Sequence, residues 1–139
     1  MKIPFNKPYL SGNEIKYIED AIVKGHISGD GFYTKACHEW FENNYGVKSA
    51  LLTHSATAAL EMAALLCDFD EGDEIIMPSY TFVSTANAFC LRGYIPRFVD
   101  ISTKDLNIEV SKIEPLINKK TKAIVVVHYA GFSCDMVKI

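Results

Sequence analysis

The hydrophobic pattern of this chain changes near residue 49, from helical spacing to short apolar runs. Before that point Ile15, Ile18 and Ile22 follow Ser11 and Glu14, a pair spaced as in a capping box, and the pattern stops at Gly25. A helix over 12–24 is predicted. The polar passage from His26 to Gly31 reads as a loop. Thr34 can cap a second helix, with Cys37, Trp40, Phe41 and Tyr45 on one face and Gly46 at a left-handed terminus.

Beyond residue 49 the runs at 49–53, 74–77, 95–99 and 122–128 predict strands, and 57–66, 84–92 and 109–117 predict helices. The order is βαβαβαβ, and Ala123 to Val127 is apolar without alternation, as in a strand covered on both faces. The fold class expected is α/β, a mainly parallel sheet with flanking helices and its functional loops at the carboxyl edge. Gly131 onward reads as a turn opening another helix, with Ser133 as its cap; a chain stopping there is expected to be a fragment.

Composition narrows the picture. The 139 residues are 49% hydrophobic, the balance of one soluble globular domain with a substantial core. Fourteen Lys and Arg against seventeen Asp and Glu, without a basic run, argue against nucleic acid and against a polybasic membrane anchor. No run approaches the length of a membrane span and the start has no secretory pattern, so a cytoplasmic protein is expected. Cys37, Cys67, Cys90 and Cys134 are too scattered for a CxxC pair and read as reduced, mostly buried thiols. His26, His38 and His54 have no metal-ligand spacing, so no metal is expected.

The candidate chemistry lies where strands meet helices. Leu51 to Leu60 passes from an apolar run through Ser55, Ala56 and Thr57 into an Ala-rich helix. Such a junction leaves backbone N–H groups and the positive end of a helix dipole facing outward, a seat for phosphate. An ordinary Ser cap is the simpler reading of the tripeptide alone. The Gly-rich mononucleotide and dinucleotide fingerprints are absent. Phe82, after the strand ending at Pro78, can stack on a planar heterocycle or pack in the core, and Tyr80 needs a hydroxyl partner if buried. His128 can serve as acid, base or donor, or be structural; Asp100 more simply caps its loop.

Several segments occur together and in order: Gly29-Asp30-Gly31, Trp40 to Gly46, Ser55 to Leu60, Gly72 to Ile76, Pro78 to Ala88 and Val127 to Gly131. In this the chain resembles the DegT-type sugar-nucleotide aminotransferases over nearly its whole length. The resemblance implies the N-terminal part of the large domain of an aspartate-aminotransferase type (fold type I) enzyme, spanning 1–139 without a second domain. It implies pyridoxal 5'-phosphate (PLP) as cofactor, with Ala56 and Thr57, beside Ser55, at its phosphate and Phe82 on its pyridine ring.

The segments Leu60 to Leu66, Met77 to Phe89 and Leu91 to Gly93 imply a finer likeness, to enzymes that aminate a dTDP-4-keto-6-deoxyhexose. A dTDP-sugar and glutamate are then the substrates of the complete enzyme, a homodimer serving lipopolysaccharide or common-antigen synthesis. The family's covalent Lys and pyridine-pairing Asp lie beyond the matched region. No catalytic residue is therefore assigned, and the fragment is expected to be inactive alone. The rival readings are a noncatalytic phosphate-ligand-binding or assembly module and, less favoured, an unrelated nucleotide-binding α/β domain.

Overall fold

Ile75, Ile76 and Met77 are wholly buried in the strand β1 (Glu74–Pro78), which is the middle of a three-stranded sheet. The computed structural model describes residues 2–4 and 6–139. These residues divide into two compact units, one reaching to Leu52 and the other running from Thr53 to Ile139.

In the second unit β1 pairs in parallel with β2 (Ile95–Val99) on one side and β3 (Thr121–Ile124) on the other. Ile75 and Met77 face Ala64, Ala88, Phe89 and Tyr94, whereas Ile76 faces Val99, Ile108, Ile113 and Cys134. Apolar layers on both faces explain why the strand reads as an unbroken hydrophobic run. The first layer comes largely from the helices α3 (Ala56–Leu66) and α4 (Val83–Cys90). Both lie within two residues of their predicted spans, and the expected α/β class with a mainly parallel sheet is present.

Four elements differ from expectation. The run 49–53 forms no strand: Ala50 donates its N–H to Glu42 at 3.0 Å and Leu52 donates to His38 Nε2 at 2.9 Å. Side chains of a helix have thus taken the donors that a sheet would use. The expected helix 109–117 is two single 3-10 turns, Val110–Lys112 and Glu114–Leu116, because Pro115 has no N–H to continue a helix.

The third difference is the length of β3, which ends at Ile124 rather than 128. Glu74 donates to the Lys120 carbonyl at 2.8 Å and Ile76 accepts from Val125 at 2.8 Å, so alternate β1 residues face β3. Next in that alternation is Pro78, which has no donor, and the ladder stops. The fourth is the predicted helix after Gly131. Ser133 caps nothing: its hydroxyl donates to the Cys134 carbonyl at 3.0 Å, and the chain makes only a turn at 136–138.

The first unit holds α1 (Glu14–Val23) and α2 (Phe32–Tyr45). Half of the expected capping box forms: Glu14 reaches back to the N–H groups of Ser11 at 2.6 Å and Gly12 at 2.9 Å, while Asn13 is the cap residue. Gly31, not Thr34, precedes α2, and a Cβ there would sit 3.0 Å from the His26 carbonyl oxygen. Gly46 ends α2 with φ 64°, as expected of a left-handed cap. Asp20 accepts from Tyr33 at 2.6 Å and from Lys24, linking the two helices. Ile15, Ile18 and Ile22 are exposed, so the apolar stripe of α1 is uncovered. The buried apolar clusters lie in the second unit.

The cysteines also depart from expectation. All four are free, but only Cys134 is buried, while Cys37 and Cys90 are exposed and Cys67 is half-buried. Among the described residues no helix is long and apolar enough to cross a membrane, and no group of three or more His, Cys, Asp or Glu side chains is placed to hold a metal.

Two outcomes follow from this packing. Ile76→Ala removes a fully buried side chain that bridges two strands and is expected to cost about 2–5 kcal/mol, measured by urea unfolding. The hydrogen bond to Asp20 pushes the Tyr33 phenol from 10.0 up to about 12. Its raised value means that the bond is intact below pH 10 and is lost as pH rises toward 12. Asp20→Ala should return the Tyr33 titration, followed by NMR, toward its ordinary value.

Candidate functional site

Ser55 is extended (φ −161°, ψ 156°) and its hydroxyl accepts from the Ala58 N–H at 3.1 Å, so it caps α3. Capping consumes one of the free donors of the first turn. The N–H groups of Ala56 and Thr57 remain outside the intrahelical ladder at the positive end of the dipole. Ala56 carries only a methyl group and leaves its own N–H approachable.

Thr57 reaches sideways. Its hydroxyl donates to Ser84 Oγ at 3.0 Å, joining the first turn of α3 to the first turn of α4. Phe82 is the residue on which α4 starts, with φ −68° and ψ 142°, and its carbonyl accepts from Thr85 at 3.0 Å. Its ring is 74% exposed. Core packing is thereby excluded for Phe82, and a flat apolar surface stands two residues from the hydroxyl that touches Thr57.

The other residues singled out have different roles. Tyr80 and Tyr129 place their hydroxyls 3.2 Å apart, across the loops that follow β1 and β3. That contact holds the Tyr129 phenol above its ordinary value. His128 accepts the Cys134 N–H through Nδ1 at 3.0 Å, which assigns that nitrogen a structural task. Asp100 accepts from Lys112 Nζ at 2.7 Å, an exposed pair that raises the Lys112 pKa. A cavity of about 780 Å3 opens among Lys104, Asp105, Glu109, Ile124, Asp135 and Ile139; none of Ser55, Ala56, Thr57 and Phe82 lines it.

Ser84, Tyr129 and Asn107 were missed as partners of these residues. A hydroxyl in the first turn of α4 was the available signal for Ser84. Nothing local in the sequence marks the other two, whose partners lie 22 to 49 residues away.

A helix start offering two free N–H groups, a hydroxyl pair and a nearby exposed ring is chemistry suited to a phosphorylated aromatic coenzyme. The sheet and its helices have the fold of the type I PLP-dependent aminotransferases. Residues 8–139 match the DegT/DnrJ/EryC1/StrS aminotransferase family, and the chain belongs to that family.

It is 37% identical over 134 residues to the GDP-perosamine synthase of Vibrio cholerae, covering 96% of this chain and 36% of that protein. Helicobacter pylori PseC, an aminotransferase involved in the biosynthesis of pseudoaminic acid, superposes with a TM-score of 0.87 at 32% identity, covering 100% of this chain and 38% of that one. The sugar aminotransferase Spr1654 of Streptococcus pneumoniae in its PMP-form gives a TM-score of 0.87 at 30% identity, covering 99% and 35%. Spr1654 was also solved in a PLP-form. The chain thus spans about a third of the length of the relatives it matches.

Ser55→Ala removes the cap of α3 and is expected to cost about 1 kcal/mol in urea unfolding. A loss well under half of that would show that the Ser55 to Ala58 bond contributes little to the helix start.

Proposed function

We propose that the chain forms the N-terminal part of the large domain of a PLP-dependent sugar-nucleotide aminotransferase. Ala56 and Thr57, with the Ser55 turn, hold the coenzyme phosphate, and Phe82 stacks on the pyridine ring. The observation carrying this reading is the Thr57 to Ser84 hydroxyl bond, which joins the phosphate-seat turn to the helix that begins at exposed Phe82. Family membership supports the same coenzyme.

When bound, the coenzyme supplies an electron sink for moving an amino group. The residues of this chain do the binding. N–H groups at the start of α3 meet the phosphate oxygens without a charged side chain, the Ser84 hydroxyl, which accepts from Thr57, adds a donor, and Phe82 fixes the ring plane.

The substrate in this reading is a dTDP-4-keto-6-deoxyhexose, with glutamate as amino donor and bacterial surface polysaccharide as destination. It further takes the enzyme to be a cytoplasmic homodimer. The Lys that bonds the coenzyme and the Asp that pairs with its ring nitrogen are not assigned among these residues, so the chain alone is proposed to be inactive.

Equilibrium dialysis against PLP tests the seat. Thr57→Val is expected to weaken binding by about tenfold or less, the scale of one hydrogen bond. Unchanged affinity would reduce Thr57 to a helix-start residue. Borohydride treatment of the mixture tests the inactivity; stable incorporation at a single Lys of this chain would refute it.

A further inference from the structure

Asn107 is 4% exposed, and one turn engages both ends of its amide. Its Oδ1 accepts from the Tyr129 N–H at 3.0 Å and its Nδ2 donates to the Phe132 carbonyl at 3.1 Å. Within the bracketed turn Ala130 has φ 51° and Gly131 has φ 85°. Left-handed backbone is unfavourable for alanine, so the turn needs outside support, and the buried amide supplies it.

What the turn presents is Tyr129. Its hydroxyl meets that of Tyr80 at 3.2 Å with ring centroids 5.2 Å apart. Tyr80 is 46% exposed, so water could satisfy its hydroxyl without this partner. The pairing therefore serves placement: it joins the loop after β3 to the loop after β1, two residues before Phe82. Thr81 and Thr85, with hydroxyls 2.8 Å apart, tie the same loop to α4.

We propose that Asn107 is a positioning residue for the Phe82 platform, acting through the 129–132 turn and the Tyr129 to Tyr80 hydroxyl pair. The proposal rests on the reading of Phe82 as the side chain that stacks on the coenzyme. A purely structural Asn107, which bonds the Tyr129 backbone in any case, would change stability and leave ligand affinity alone.

The test uses the full chain carrying 13C at tyrosine Cζ, with the Tyr129 signal identified by its loss in Tyr129→Phe. In Asn107→Leu, Tyr129 is expected to titrate lower than in the parent, as it does on removing its partner in Tyr80→Phe. Dialysis against PLP should show affinity weakened about three- to tenfold in Asn107→Leu and in Tyr129→Phe, with the double variant no weaker than the worse single. Unchanged Tyr129 titration, a shifted titration with unchanged affinity, or additive losses would overturn the proposal. Should Asn107→Leu not fold by circular dichroism, Asn107→Ser takes its place with the same readouts. A parent chain that binds no PLP overturns the coenzyme reading alone; the Tyr129 titration then decides whether Asn107 sets the two loops.

Discussion

Burial of β1 between two apolar layers is the constraint on which the second unit depends. Ile75 and Met77 fill one layer and Ile76 the other, so the strand cannot slip by one residue without sending each side chain to the wrong face. With that register fixed, the parallel partners point the same way and their following loops gather at one edge. Tyr80 and Tyr129 meet there although 49 residues separate them.

Pro78 sets where that edge begins. By withholding a donor from β3 it ends the ladder, and Ser79 still bonds the Val99 carbonyl at 2.7 Å on the β2 side. The sheet thus stays closed toward β2 and opens toward β3, which frees the backbone after Ile124 to bend into the turn braced by Asn107. Helix α4 starts five residues after Pro78, with exposed Phe82 as its cap residue and the Ser84 hydroxyl that meets Thr57 in its first turn.

The electrostatics of the seat differ from those of the rest of the surface. Lys112 and Lys138 lie beside Asp100 and Asp135, in exposed pairs that contribute little to stability. At the start of α3 the oriented N–H groups and hydroxyls would instead supply the attraction for an anion in the proposed seat, whatever the net −3 of the chain. The net acidity of the chain is therefore no obstacle to the phosphate seat proposed at this turn.

Much of the second unit was legible along the chain, because α3, α4 and β1 bury apolar side chains that lie close together in sequence, and β2 is a short apolar run that ends on buried Val99. Ser55 as cap and Gly46 as terminator were legible for the same reason, since their partners lie within a turn. The run 49–53 was misread because Glu42 and His38, from a helix earlier in the chain, compete for its donors. The exposed thiols and the uncovered stripe of α1 show that apolar spacing says which face a helix has and not whether anything covers it. By itself the sequence determined α3, α4, β1 and β2, their parallel α/β order and the Ser55 cap. Tertiary structure alone decided the Thr57 to Ser84 join, the Tyr80 to Tyr129 pair and the Asn107 brace, because hydrogen bonds between residues 22 to 49 positions apart depend on packing that no local pattern encodes.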